Sequence, residues 1–205
     1  MTGYRIIRFI VKIYSKLFYR LEVIGNENEL REGGCIVVAN HSSFMDPIAV
    51  AAALERSVCF MAKSDLERFG FIRWVFKVCN VIPVRRGESD MAALRKSFDI
   101  VKEGNVMGIF PQGTRIPCES PDVETALAGV GLIAMKTKAP ILPVAICYGK
   151  RNKKPTFFRK IRVAIGKPIY FEEYSERDGE RLGSHEMAKY AFSKVCAEFA
   201  EHNYD

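Results

Sequence analysis

The feature that most constrains this chain is an alternation. Short apolar runs, each of strand length, are separated for the most part by segments with a helical period. The runs are "LEVIG" (21–25), "CIVVAN" (35–40), "VCFMAK" (58–63), "VIPVR" (81–85), "NVMGIFP" (105–111), "PILPVAI" (140–146) and "KIRVAI" (160–165). The helical segments are Pro47–Leu54, Phe71–Cys79, Asp90–Lys102, Thr125–Lys138 and Glu186–Phe199. Strands that read as continuous apolar runs are buried on both faces, and helices between them supply the cover. The pattern predicts an α/β fold with a largely parallel central sheet and flanking helices. Ser89 is placed to cap the helix over 90–102 and Gly104 to stop it. Residues 116–124 and 149–159 read as surface loops.

With 205 residues, the chain is long enough for one domain with a real core, or a domain with a small appendage. Its 48% hydrophobic and 27% charged content excludes a disordered chain. No apolar run reaches the roughly 18–20 residues of a bilayer span. No secretory leader is legible, so a cytoplasmic location is expected. Six cysteines are scattered without a C-x-x-C pair or a nearby histidine, which argues against a zinc site and a disulfide framework. Most sit in apolar runs, as small buried hydrophobes do.

The net charge of +7 is concentrated. Residues 1–20 carry Arg5, Arg8, Lys12, Lys16 and Arg20 and no acid. These cations form one stripe on a helix, opposite Ile6, Phe9, Ile10, Ile13, Leu17 and Leu21. That is the composition of a helix lying in a membrane interface. The plainer alternative is a helix packed on the protein's own core with a solvated basic side. The division expected is an amphipathic membrane-associating helix over 1–20 and an α/β domain over 21–205. A second acid-free stretch holds Arg151, Lys153, Lys154, Arg159, Lys160, Arg162 and Lys167. Both stretches point to an anionic partner. Nucleic acid is not the partner favoured, although Phe157 and Phe158 lie among the cations of the second. The same stretch suits a lipid surface or an acidic carrier.

The polar turn after the second run, "NHSSFMD", holds His41 five residues before Asp46. On a regular helix these two would point about 140° apart, so they meet only if the chain turns tightly between them. Asn40, Ser42 and Ser43 accept such turns, and Asp46-Pro47 reads as an N-cap followed by a first-turn proline. Capping alone would account for Asp46. The functional reading is a general-base dyad in which Asp46 orients His41 toward a substrate hydroxyl.

Four blocks occur in order: "NHSSFMD", "VIPVRRG", "FPQGTR" and "APILPVAI". Together they resemble the glycerolipid acyltransferase family, from about Leu21 to Pro168. The resemblance implies that His41 is the base and Asp46 its partner. It implies that Arg86, ahead of its neighbour Arg85, and Arg115 bind the acceptor's phosphate, with Gln112, Gly113 and Thr114 in the same substrate-binding loop. A guanidinium fork suits a phosphate, and a glycine lets backbone amides approach an anion. Solvated surface arginines are the plainer alternative. "PILPVAI" reads as a core strand whose Pro143 shapes the floor of the site. The resemblance further implies transfer of an acyl group from acyl-CoA or acyl-carrier protein to lysophosphatidic acid, 1-acylglycerol 3-phosphate. It requires no metal and no organic cofactor, and it places the protein peripherally on the cytoplasmic face of the membrane. The chain departs from the family at Gln112, where Glu is usual, and at Leu127, where a basic residue is expected. These departures keep open another lysolipid, or glycerol 3-phosphate, as acceptor. A non-catalytic protein that binds anionic membranes is the reading from a different class.

Overall fold

The computed structural model describes residues 9, 13, 19–68, 70–78, 81–84, 91–117, 120–149, 160–177 and 180–204. Seven strands form one sheet: β1 (Glu22–Ile24), β2 (Cys35–Ala39), β3 (Val58–Lys63), β4 (Ile82–Val84), β5 (Val106–Ile109), β6 (Ile141–Tyr148) and β7 (Ile161–Ile165). Their order is β1-β7-β6-β2-β5-β3-β4. All pairings are parallel except β6 with β7, so β1 and β7 run against the other five. Every apolar run of the sequence is therefore a strand of this sheet, and the fold is α/β with a mostly parallel core.

The helices are α1 (Asp46–Ala53), α2 (Gly70–Val78), α3 (Met91–Lys102), α4 (Gly129–Thr137), α5 (Phe171–Ser175) and α6 (Ser184–His202). A small hairpin, β8 (Glu176–Arg177) with β9 (Glu180–Arg181), joins α5 to α6. Alternate residues of each strand enter opposite cores, as strand geometry requires. Ile36 and Val38 of β2 pack with Ala93 of α3, Val130 and Ile133 of α4, and Phe192 and Val195 of α6. Cys35, Val37 and Ala39 face the other way, toward Ala49, Val50 and Ala53 of α1 and toward Tyr19.

Two helix boundaries differ from expectation. The helix expected over 125–138 begins at Gly129. Residues Val123–Thr125 instead form a 3-10 turn, in which Asp122 accepts a hydrogen bond from the Glu124 amide, and the Leu127 N–H donates to the Pro111 carbonyl. Ala126, after the turn, is extended (φ −74°, ψ 120°), so the helix cannot run through it and starts only at Gly129. Asp46 is the first residue of α1 rather than its N-cap. Met45 takes that position without a side-chain bond, and the Asp46 carboxylate turns back toward residues 41–43.

Gly104 does stop α3, with a left-handed φ of 83°. Ser89 lies outside the described residues, as do Arg85, Arg86 and the basic stretch 151–159. The expected helix over 1–20 is described only at Phe9, Ile13, Tyr19 and Arg20. Among the described residues, no helix is long and apolar enough to cross a membrane.

Candidate active site

Ligand sites in parallel sheets form beyond the carboxyl ends of the strands. Here three adjacent central strands, β2, β5 and β6, deliver side chains to one such edge. β2 sits between the other two, with Val38 level with Ile109 of β5 and Pro143 of β6. The chain leaves β2 through Asn40, which is buried and closes a side-chain ladder with β6. Its amide donates to the Ile146 carbonyl at 3.0 Å and its oxygen accepts from the Ile146 N–H at 2.7 Å. The exit from β2 is thereby fixed before the turn begins.

In the turn, His41 Nδ1 lies 2.8 Å from Asp46 Oδ2. The same oxygen accepts the backbone amides of Ser42 at 2.6 Å and Ser43 at 2.7 Å. The other oxygen, Oδ1, accepts the Tyr148 hydroxyl at 2.5 Å. Asp46 is fully buried, and these donors are what allow a carboxylate to be held there. The carboxylate accepts from Nδ1–H, which leaves the Nε2 lone pair to act as the acceptor. Nε2 makes no hydrogen bond to the described residues, and the side chain is 13% exposed, so one ring edge reaches the surface.

The imidazole is also held by its faces and its backbone. It stacks on Phe110 with ring centroids 4.3 Å apart, and Phe110 stacks in turn on Phe60 of β3. Gly108 makes room for this stack, since a Cβ there would lie 2.4 Å from the Phe60 ring. The His41 N–H donates to Gln112 Oε1 at 2.8 Å, and the His41 carbonyl accepts from the Ile116 N–H at 2.8 Å. The loop 110–116 is thus stapled to the histidine on both sides.

That loop holds the other sequence-predicted residues. Gln112 is buried, with its oxygen on the His41 amide. Gly113 has φ 66°, a left-handed backbone that favours glycine, and a Cβ there would meet Leu127 Cδ1, the end of an exposed side chain. Its own N–H closes the turn onto the Phe110 carbonyl at 3.1 Å. Thr114 and Arg115 are exposed. The Arg115 guanidinium lies 3.4 Å over the ring of Phe44, an exposed residue of the histidine turn. Stacking uses a guanidinium face and leaves the N–H edge for an anion. Leu127 is exposed beside this loop, where its side chain covers Gly113.

The structure therefore brings together His41, Asp46, Gln112, Gly113 and Arg115. Sequence reasoning missed Tyr148, Phe110 and Phe44, and named Asn40 only as a turn residue. Of those it missed, only Tyr148 left a trace: it is a hydroxyl-bearing residue at the end of an otherwise apolar strand. Burial pushes Cys35 up to about 11 and Cys147 up to about 12, so neither is a thiolate at neutral pH.

A mostly parallel α/β sheet thus carries a histidine–carboxylate pair at the carboxyl edge of its central strands, next to an arginine-bearing loop. The model of the Acyltransferase family matches residues 20–147, and the chain belongs to that family. Curated relatives include the 1-acyl-sn-glycerol-3-phosphate acyltransferase of Bacillus subtilis, 29% identical over 177 residues, which cover 85% of this chain and 86% of that protein. The chloroplastic enzyme of the same name from Brassica napus is 30% identical over 175 residues. That alignment covers 79% of this chain but only 50% of the Brassica protein. The crystal structure of the 1-acyl-sn-glycerophosphate (LPA) acyltransferase PlsC from Thermotoga maritima superposes with a TM-score of 0.71 at 25% identity. The match covers 97% of this chain and 80% of that one.

Proposed function

We propose that the protein transfers a fatty acyl group from acyl-CoA or acyl-carrier protein to the free hydroxyl of 1-acylglycerol 3-phosphate, yielding phosphatidic acid. The observation that carries this reading is the 2.8 Å contact between His41 and a fully buried Asp46, within a chain of the Acyltransferase family. His41 Nε2 takes the proton of the acceptor hydroxyl as the oxygen attacks the thioester carbonyl. The tetrahedral oxyanion collapses, the C–S bond breaks, and the imidazolium returns its proton to the departing thiolate. Asp46 stabilises the imidazolium and keeps Nε2 as the acceptor.

Arg115 binds the acceptor phosphate through its guanidinium edge, with Arg86 as its partner and Thr114 adding a hydroxyl donor. Gln112 and Gly113 act through the shape of the loop. Gln112 raised the possibility of a different acceptor; its oxygen engages the His41 amide rather than facing outward, and the relatives named as 1-acyl-sn-glycerol-3-phosphate acyltransferases support lysophosphatidic acid. Residues 1–20 dock peripherally on the cytoplasmic face of the membrane. This reading is supported by Phe9 and Ile13, apolar residues four apart that are 66% and 44% exposed. A binder without catalysis has no use for an oriented base.

The test is mass spectrometry of products from detergent-solubilised protein supplied with lysophosphatidic acid and a set of thioester donors. Phosphatidic acid should form with the wild type. His41→Ala should slow its formation on the order of a hundredfold to ten-thousandfold, the range of a lost general base. Undiminished turnover by that variant would refute the proposal.

A further inference from the structure

Tyr148 is the last residue of β6, and its hydroxyl bonds the one oxygen of Asp46 that His41 does not use. We propose that Tyr148 is a positioning residue for the base: its phenol fixes the plane of the Asp46 carboxylate and moderates how strongly that carboxylate draws the imidazole proton. The proposal rests on the dyad reading given above and adds a member from a distant strand.

The physical reasoning is local. Three donors crowd Oδ2, and the phenol is the donor on Oδ1. A hydrogen bond to a carboxylate disperses its charge and weakens its pull on every other donor. Without the phenol, Oδ1 would be a buried acceptor missing a partner, and the retained charge would hold Nδ1–H more tightly. A tighter hold favours the imidazolium, because a neighbouring carboxylate raises the proton affinity of a histidine. Among the described residues, His41 on the turn and Tyr148 on β6 are the titratable groups that contact Asp46. Arg115, the charged residue of the adjoining loop, lies over Phe44. Arg162, from β7, is turned to Glu22 and Tyr204. The balance between phenol and imidazole is thus set inside the trio.

The chain has only three histidines, so nitrogen-15 labelling of histidine gives a readable titration of His41, assigned by its absence in His41→Ala. In Tyr148→Phe the His41 midpoint should move to higher pH by about half a unit to one unit, and the ascending limb of kcat/KM should move with it. Below that limb the rate should fall about three- to tenfold, with the KM for the acceptor unchanged. An unmoved midpoint in a variant that melts like the wild type overturns the proposal. Should Tyr148→Phe fail to fold, incorporation of 3-fluorotyrosine at this position tests the opposite sign. Its more acidic phenol is a stronger donor, so the midpoint should move to lower pH, and a static or rising midpoint overturns the proposal. The two claims separate cleanly. Full turnover by His41→Ala removes the acyl-transfer reading and this proposal with it. Loss of turnover there, with an unmoved midpoint in Tyr148→Phe, removes this proposal alone.

Discussion

On one side of the sheet, α3, α4 and α6 press Ala93, Val130, Ile133, Phe192 and Val195 against the strands. On the other, among the described residues, the cover is the eight-residue α1 together with Tyr19. Phe60, Phe110 and Tyr148, which support the histidine, belong to this second, lightly covered side. Burial supplies most of the stability of a fold, and a buried side chain is poorly placed to meet a substrate. The molecule separates the two tasks. Both faces are buried; among the described residues one is packed under three helices, and the other carries the side chains that prop His41.

This contrast can be broken by substitution. Phe192→Ala, on the heavily covered face, should cost about 3–5 kcal/mol of stability, read by denaturant unfolding. The protein that remains folded should keep its acceptor KM and its turnover. A large change in KM at Phe192 would show that the faces are not independent. Arg115→Ala, at the open edge, should do the reverse. Acceptor KM should rise about tenfold, as expected for a lost charge-assisted contact to phosphate, with the melting temperature held. Gln112→Glu should produce the smallest effect. A carboxylate oxygen still accepts from the His41 amide, so turnover should stay within about threefold of wild type and the ranking of acceptors should not change. A reordered acceptor panel would make Gln112 a substrate contact rather than a prop for the loop.

How far the sequence could be read follows from the range of the interactions involved. Every strand was legible because apolar runs of strand length are a local signal. The His41–Asp46 pair was legible for the same reason, since turn-forming residues and both partners lie within one short stretch. The contact of Asp46 with His41 was anticipated, but its N-cap reading failed, because an N-cap and a back-turned carboxylate leave the same Asp-Pro signature. The start of α4 was misplaced because Val123–Thr125 close a 3-10 turn and Ala126 is extended, a break that the helical period over 125–138 does not reveal. Helix α5 was not foreseen. It is five residues long and is started by the Glu173 side chain reaching back to the Tyr170 N–H, a signal too short to stand out. The contacts that Tyr148 and Asn40 make were out of reach. Their partners lie 102 and 106 residues away, and only the strand order, which no local pattern encodes, makes them neighbours.

The Asn40 ladder to Ile146 has a consequence for the newly made protein. The bend that aims the imidazole is anchored to a strand synthesised more than a hundred residues later. A nascent chain on the ribosome that has displayed "NHSSFMD" but not yet "PILPVAICY" carries the residues of the base without their alignment. The bend is complete only when β6 docks, so an unfinished or truncated product holds His41 and Asp46 without the Asn40 anchor that fixes their turn.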